Sequence, residues 1–242
     1  MSDLAQHTDQ FTREGFAVIE AIYSAEEVNA IAESIEFANS TNPTFRKSDD
    51  LFAIRQFLKE IPAINSLLFT DSLKSIVKQF FGDKYFVVKS IYFDKPERSN
   101  WFVAYHQDLT ISVDNKADLP GYSSWTKKHG QFAVQPPLNI LEDNFTIRIH
   151  LDDVDSDNGA LKVIPGSHQK GIYRPETIDW STEREAICNV KQGGIMFMRP
   201  LTLHASERTT NNKRRRVIHI EFSRSNLPAE INWSELDFIN FN

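Results

Sequence analysis

Short apolar runs dominate the second half of the chain, and turn-forming residues separate each run from the next. The runs are rich in Val, Ile, Phe and Tyr, which favour a pleated, half-buried strand. The pattern therefore predicts a series of strands, together with a shorter one near the N-terminus. The predicted strands span residues 16–19, 85–93, 101–106, 145–151, 160–164, 187–190, 194–198 and 215–223.

Apolar residues at helical spacing occur mainly in the first third of the chain. Ser24 followed by Glu27 has the form of a capping box, which predicts that a helix begins there. The segment 61–82 predicts a pair of helices, with Asp71 as a cap and Gly82 as the stop.

Helices early in the chain and strands late in it predict a mainly β, α+β arrangement, in which N-terminal helices brace a β-sandwich or barrel. A double-stranded jelly roll, as in the cupins, is the natural candidate. We expect one domain over residues 1–242, with helical bracing mainly at 24–82 and the jelly-roll core at about 85–224. Residues 112–143 have little periodicity, so we expect a long loop that is functional or disordered.

The net charge, the cysteine count and the apolar runs limit the kinds of partner and location that we expect for this protein. The 242 residues carry a formal net charge of -6, which disfavours a nucleic-acid partner. Cys188 is the only cysteine, so the chain can form neither an internal disulfide nor a cysteine-based zinc site. The polar N-terminus lacks the apolar core of a signal peptide, and no apolar run is long enough for a membrane span. We expect a cytoplasmic protein.

Two His-x-Asp pairs are candidates for holding a metal ion, His106 with Asp108 and His150 with Asp152. Side chains two residues apart at the end of a strand point to the same side, so either pair could bind one ion. His204, just after a predicted strand, could supply a third ligand. Two histidines and one carboxylate on one face of a metal are typical of non-haem Fe(II) oxygenases. The alternative is that His204 caps a strand and His106 packs among aromatic residues.

The run "KRRRVIHIEF", residues 213–222, leads from four basic residues into a predicted strand. Alternation places Arg215, Val217, His219 and Glu221 on one face of that strand. If the opposite, apolar face packs against helices, Arg215 points into the barrel, where an isolated cation is costly and needs an anion such as a bound carboxylate. His219 and Glu221 could pair with each other. The alternative for the basic run is a solvated face or a nucleic-acid patch.

Three stretches resemble a known family. "YHQDL", "LDDVDSDNGALKVIPGSHQKG" and "HASERTTNNKRRRVIHIEF" are similar to the phytanoyl-CoA dioxygenase family of Fe(II)/2-oxoglutarate oxygenases, and the likeness covers roughly residues 11–224. The resemblance implies a double-stranded β-helix fold. It also implies hydroxylation, or another oxidation, of a C–H bond with Fe(II), 2-oxoglutarate and dioxygen, and the release of succinate and CO2.

The resemblance distinguishes between the two His-x-Asp pairs. It implies His106, Asp108 and His204 as the ligands of Fe(II), and it places His150 and Asp152 on a framework strand. Because halogenating relatives carry a small residue where Asp108 stands, this chain is expected to oxidise its substrate rather than to halogenate it.

The resemblance also implies a cosubstrate site. Arg215, eleven positions after His204, matches the residue that binds the far carboxylate of 2-oxoglutarate, and Ser206 resembles the hydroxyl that assists it. Lys89 and Trp125 are further candidate contacts. The alternative for Lys89 is an exposed lysine on a strand.

Arg148 and His150 are candidate substrate contacts, because alternation places them on the face of their strand opposite the apolar residues. Arg148 stands where many family members have an apolar or aromatic residue. Together with Lys89, Lys127 and Lys128, which could lie near the mouth, it suggests a polar or anionic substrate. A buried polar network is the alternative.

Two rival functions stay open from the sequence. A non-catalytic metal- or ligand-binding double-stranded β-helix protein, such as a sensor or a degenerate relative, would bind ligand without consuming 2-oxoglutarate. A cupin-type enzyme would use a metal without it. Of the other histidines, His7 is assigned to a polar tail, His129 is expected to be exposed in the long loop, and His168 is expected to secure a turn at residues 165–168.

Overall fold

The computed structural model describes residues 2–38, 42–47, 52–97, 102–128, 130–211, 213–237 and 239. Within these residues lie six α-helices. They are α1 (Ser2–Glu14), α2 (Ala25–Glu36), α3 (Phe57–Glu60), α4 (Ile64–Leu68), α5 (Asp71–Phe81) and α6 (Leu138–Glu142).

The same residues form fourteen β-strands. They are β1 (Phe16–Ile19), β2 (Phe45–Lys47), β3 (Phe52–Arg55), β4 (Phe86–Lys95), β5 (Val103–His106), β6 (Ile111–Val113), β7 (Ser123–Lys128), β8 (Gln131–Gln135), β9 (Phe145–His150), β10 (Leu161–Val163), β11 (Ala186–Cys188), β12 (Ile195–Met198), β13 (His204–Ser206) and β14 (Arg215–Ser223). Each strand predicted from the sequence is present, with bounds within two residues of the prediction.

Three antiparallel sheets organise these strands. The large sheet has the order β1-β12-β9-β14-β4-β3-β2, the second has β11-β10-β13-β5, and the third has β6-β8-β7. The first two sheets pack face to face, since Phe16 and Met196 of the large sheet share a buried cluster with Leu161 and Val163 of the second. A cavity between them is lined from both sheets. This is the jelly-roll arrangement predicted from the sequence.

The outer face of the large sheet carries the main hydrophobic core. Ile147 and Ile149 of β9 belong to one buried cluster with Val28 of α2 and Leu73 of α5. Arg148, between the two isoleucines, points to the other side of the sheet and lines the cavity. The alternation therefore packs apolar side chains beneath the helices and leaves charged ones between the sheets.

The helix ends follow the predicted caps with one correction. Ser24 and Glu27 form the capping box, with bonds of 3.2 and 2.8 Å. Gly82 ends α5 with φ +81°, as predicted. The cap of α5 is Thr70, however, and not Asp71. Thr70 has extended backbone and its hydroxyl accepts from the Leu73 N–H at 3.3 Å, which places Asp71 inside the first turn.

The prediction of a long loop at 112–143 is wrong. This segment contains most of β6, together with β7, β8 and α6, and its apolar residues pack around a second buried cluster that includes Trp125. Ser124 has φ +55°, and the register of β7 on β8 shifts between Ser123 and Thr126. Such a bulge breaks the two-residue alternation by which a strand is detected in sequence.

The N-terminal region also differs from the expectation. The predicted polar tail is helix α1, which contains His7, and its Leu4 and Phe11 pack on the main core. Between α2 and α3 the chain forms the β2–β3 hairpin, and α6 lies late in the chain, so the helices are not only N-terminal. None of the helices in the described residues is both long enough and apolar enough to cross a membrane.

Candidate metal centre and cosubstrate cavity

Strand pairing brings the predicted metal ligands together. His106 ends β5 and His204 begins β13, and the two residues are direct partners in the register of these strands. Asp108 follows two residues after His106, and its N–H donates to the Pro200 carbonyl at 2.9 Å. One nitrogen or oxygen from each of the three side chains lies within 4.8 Å of the others.

The three side chains fit a divalent transition-metal ion. His106 Nδ1 and His204 Nδ1 lie 2.9 and 2.8 Å from the carbonyls of Ala104 and Thr202, so each Nδ1 carries the proton and each Nε2 is free to bind a metal. Their Nε2 atoms lie 3.9 and 3.8 Å from the Asp108 carboxylate oxygens. Ligand atoms about 2.1 Å from one ion are at most about 4.2 Å apart, and both separations meet that limit.

The ionisation states also suit metal binding. Burial lowers the pKa of His204 to about 4, against the opposing effect of Asp108, so its imidazole is neutral at neutral pH. For Asp108, burial raises the pKa, but His204, His219, Lys89 and His106 outweigh it and bring the pKa down to about 2. The site therefore presents one neutral buried imidazole and one ionised carboxylate.

The residues of the second His-x-Asp pair, His150 and Asp152, have surroundings typical of structural residues and not of metal ligands. Asp152 accepts three hydrogen bonds from Arg216, at 2.8 Å from the backbone N–H and at 3.0 and 2.7 Å from the guanidinium. His150 is 4% exposed, and neither ring nitrogen has a hydrogen-bond partner among the described residues. Burial, with Arg148 and Arg215 adding to it, holds the pKa of His150 well below its usual value.

Arg215 and Ser206 reach the same cavity as the metal ligands, whose volume is about 270 Å³. Arg215 Nη1 donates to the Gly159 carbonyl and lies 3.3 Å from Ser206 Oγ. Among the described residues, no carboxylate forms an ion pair with it. Burial, and then Arg148, lower the pKa of Arg215 to about 9, so the guanidinium stays charged at neutral pH.

Four charged or polar side chains form a row across the inner face of the large sheet. Lys89 Nζ lies 2.6 Å from Glu221 Oε1, the same oxygen lies 3.0 Å from His219 Nε2, and His219 Nδ1 lies 3.2 Å from Arg148 Nη1. All four line the cavity. The pairing of His219 with Glu221 expected from the alternation is present. Lys89 is a half-buried ion-pair partner and not an exposed lysine.

Of the nine residues proposed from the sequence as metal, cosubstrate or substrate contacts, seven line this cavity and two do not. Those that line it are Lys89, His106, Asp108, Arg148, His204, Ser206 and Arg215. Trp125 lies in β7 and packs on the second cluster, and His150 is buried beside the cavity without lining it. Lys127 lies over the Phe132 ring, 4.7 Å from its centroid, outside the lining. His129 and the Lys128 side chain lie outside the described residues.

Lys95 is a cavity residue that the sequence analysis did not single out. Its side chain is 1% exposed, and its ammonium donates to the Glu207 carbonyl at 2.9 Å. The signal was present, because counting by two from Lys89 along β4 reaches Lys95 on the same face.

Comparison with known proteins places the chain in a family. The family described as phytanoyl-CoA dioxygenase (PhyH) matches residues 11–217. The match extends over most of the chain, and the chain belongs to this family.

One curated relative is the "Probable alpha-ketoglutarate-dependent hypophosphite dioxygenase" of Stutzerimonas stutzeri. It is 24% identical to this chain over an alignment of 189 residues that covers 72% of the chain. The chain spans 57% of the length of that relative.

Solved structures share the fold. The apoform of EctD from S. alaskensis matches with a TM-score of 0.69 and 18% identity, covering 90% of this chain and 76% of that one. The epimerase SnoN in complex with Fe3+, alpha ketoglutarate and nogalamycin RO matches with a TM-score of 0.66 and 14% identity, covering 99% and 94%. These matches confirm the jelly-roll fold predicted from the sequence.

Proposed function

We propose that the protein is an Fe(II)- and 2-oxoglutarate-dependent oxygenase that hydroxylates, or otherwise oxidises, a small anionic molecule. The observation that carries this proposal is that one cavity is lined both by a His-Asp-His set fit for a metal and by a half-buried arginine with no carboxylate partner among the described residues. Membership of the phytanoyl-CoA dioxygenase family supports the same chemistry.

His106, Asp108 and His204 are the residues proposed to hold Fe(II). With these three side chains as ligands, the ion would keep further positions for 2-oxoglutarate and for dioxygen. When bound, Fe(II) with 2-oxoglutarate and dioxygen supplies the oxidising chemistry, and 2-oxoglutarate leaves as succinate and CO2. Because the family resemblance gives halogenating relatives a small residue where Asp108 stands, the proposed reaction is oxidation and not halogenation.

Arg215, assisted by Ser206, is the proposed site for the far carboxylate of 2-oxoglutarate. Within the part of the chain that the structure describes, this half-buried guanidinium has only a carbonyl and a hydroxyl as partners, and it lacks the anion that would offset its desolvation. A carboxylate fits its planar fork. Lys89 also lines the cavity, where its ammonium pairs with Glu221. Trp125 has no place in the proposed cosubstrate site, because it does not line the cavity.

An excess of positive charge supports an anionic substrate. Among the described residues, four cations and two carboxylates line the cavity, which leaves two positive charges when the histidines are neutral. Fe(II) adds two positive charges and 2-oxoglutarate adds two negative ones, so the excess persists when both are bound. The residues in this sum are Lys89, Lys95, Arg148, Arg215, Asp108 and Glu221.

Cavity size and the curated relative support a small substrate. The volume of about 270 Å³ is below the roughly 300–1,000 Å³ of pockets that hold drug-sized ligands, and 2-oxoglutarate takes part of it. The relative's name gives hypophosphite, a small oxyanion with P–H bonds, as its substrate. We therefore propose oxidation of a C–H or P–H bond in a small oxyanion, and not in a fatty acyl-CoA.

Succinate release tests this proposal. The protein is supplied with Fe(II), 2-oxoglutarate and dioxygen, and then with hypophosphite, phosphite or small carboxylates, each beside a neutral molecule of similar size. We expect at least one anion to stimulate succinate release, and His106→Ala to abolish it. Release in the wild type no greater than in His106→Ala would reject the oxygenase, and stimulation only by neutral molecules would reject the anionic substrate.

A further inference from the structure

The hydrogen-bonded row from Lys89 to Arg148 is set by strand register. Glu221 of β14 is the partner of Lys89 in β4, and His219 of β14 is the partner of Arg148 in β9. Because His219 and Glu221 are two residues apart on one strand, their side chains stand side by side on the inner face. The row is therefore built on three adjacent strands of the large sheet and not on a loop.

The chemistry of these groups fixes the proton positions. A guanidinium can only donate, so His219 Nδ1 accepts from Arg148 and the ring proton is on Nε2. That proton is donated to Glu221, which as a carboxylate accepts from both His219 and Lys89. His219 is thus neutral, and a flipped ring would lose both bonds. The ion pair of Lys89 with Glu221 anchors the far end of the row.

Arg148 lies at the end of the row, and several of its N–H donors have no hydrogen-bond partner among the described residues. Its one hydrogen bond among the described residues goes to a neutral imidazole, and its Nε has no partner. No carboxylate of the described residues forms an ion pair with it, although the charge of Asp108 is near enough to oppose the lowering of its pKa by burial. Several N–H donors of this charged fork are therefore unpaired within the described residues, on a side chain that lines the cavity beside the metal ligands.

We infer that His219 is a positioning residue, which holds the Arg148 guanidinium so that its remaining N–H groups bind a substrate bearing two oxygens on one central atom, as in a phosphorus oxyanion or a carboxylate. This inference rests on the proposed function, because it names how the same site recognises its substrate. The planar fork matches two such oxygens, and a lysine at this position would not. Arg215 then serves the cosubstrate and Arg148 the substrate.

The test uses the protein loaded with Fe(II) and 2-oxoglutarate under anaerobic conditions, where the chelate gives a visible charge-transfer band. Inorganic phosphite is titrated in one arm and acetate in the other, and the saturable change in the band gives the anion affinity. We expect a change in at least one arm for the wild type. We expect His219→Leu to lower the affinity for the anion by about 10-fold and to leave the affinity for 2-oxoglutarate unchanged.

Three variants separate positioning from a merely structural role. His219→Asn keeps an acceptor oxygen near the position of Nδ1, so it should retain more anion affinity than His219→Leu. Arg148→Leu should abolish the anion effect and leave the chelate intact. Because His219 acts through Arg148, the double variant should bind anions no more weakly than Arg148→Leu alone. If Arg148→Leu does not fold, Arg148→Lys, which keeps the charge and loses the fork, should show weakened anion binding at unchanged 2-oxoglutarate affinity.

The experiment distinguishes failure of the proposed function from failure of the inference about His219 and Arg148. Absence of the chelate band from the wild type would reject the proposed function and this inference with it. A normal chelate band without an anion effect in either arm would overturn the inference alone. An equal loss of 2-oxoglutarate affinity in Arg148→Leu would assign Arg148 to the cosubstrate, and unchanged anion affinity in His219→Leu would remove its positioning role.

Discussion

His106 and His204 lie directly opposite each other on the paired strands β5 and β13, with ring centroids 4.3 Å apart. Each ring is oriented by a hydrogen bond to a carbonyl two residues before it in the chain. The sheet itself therefore sets the distance between the two imidazoles. The candidate metal site is preformed by strand pairing, which is the rigid support that precise ligand placement needs.

Asp108 and Asp152 should have separable roles. Asp108→Ala is expected to abolish Fe(II) binding with little loss of stability, because the two histidines are the only ion-pair partners of that carboxylate among the described residues. Asp152→Ala should retain Fe(II) binding and lower the free energy of unfolding by about 1–3 kcal/mol, since it leaves Arg216 without its acceptor. Metal titration and urea unfolding of both variants check this. Loss of Fe(II) binding in Asp152→Ala alone would reverse the assignment.

Arg215 and Arg216 form a matched pair on opposite faces of β14. Arg215→Met should lower the affinity for 2-oxoglutarate by about 10- to 100-fold and leave the affinity for Fe(II) unchanged. This range corresponds to the loss of one charge-assisted hydrogen bond. Arg216→Met should leave 2-oxoglutarate affinity unchanged, since its partner is Asp152 and it does not line the cavity. Calorimetric titration of 2-oxoglutarate measures both. Equal losses in the two variants would remove Arg215 from the cosubstrate site.

Cys188 should resist alkylation in the folded protein. Burial raises the pKa of its thiol to about 12, and Arg148 opposes this only in part. The reactive thiolate is therefore scarce until the pH nears that value, and the side chain is 3% exposed. At pH 8, iodoacetamide should label it at least about 100-fold more slowly in buffer than in urea. Comparable rates in the two solvents would contradict the buried environment.

Regular alternation is what made much of this protein predictable. In β14, Arg215, His219 and Glu221 alternate with Ile218 and Ile220 without interruption, and the inner face of the strand was assigned correctly. Pairing of the strands could not be inferred from one sequence. The resemblance of the motifs, and not their spacing, separated the two His-x-Asp pairs.

Irregular backbone is where the sequence was misleading. In β7, the bulge at Ser124 hid a strand and left Trp125 to be assigned to a loop near the cosubstrate. At the end of β9, alternation placed His150 on the inner face correctly, but the side chain is buried without lining the cavity. Alternation predicts the face of the sheet on which a side chain lies, but it does not predict whether that side chain reaches the cavity. The extent of one domain over residues 1–242 stays a prediction.

The most direct test of the central claim is an anaerobic titration of the metal-free protein with Fe(II) and 2-oxoglutarate, followed by the visible charge-transfer band of the chelate. It is performed on the wild type, His106→Ala and His150→Ala. The account predicts the band in the wild type and in His150→Ala, and its absence from His106→Ala. A wild type that binds Fe(II) without the band, or a band lost only in His150→Ala, would contradict it.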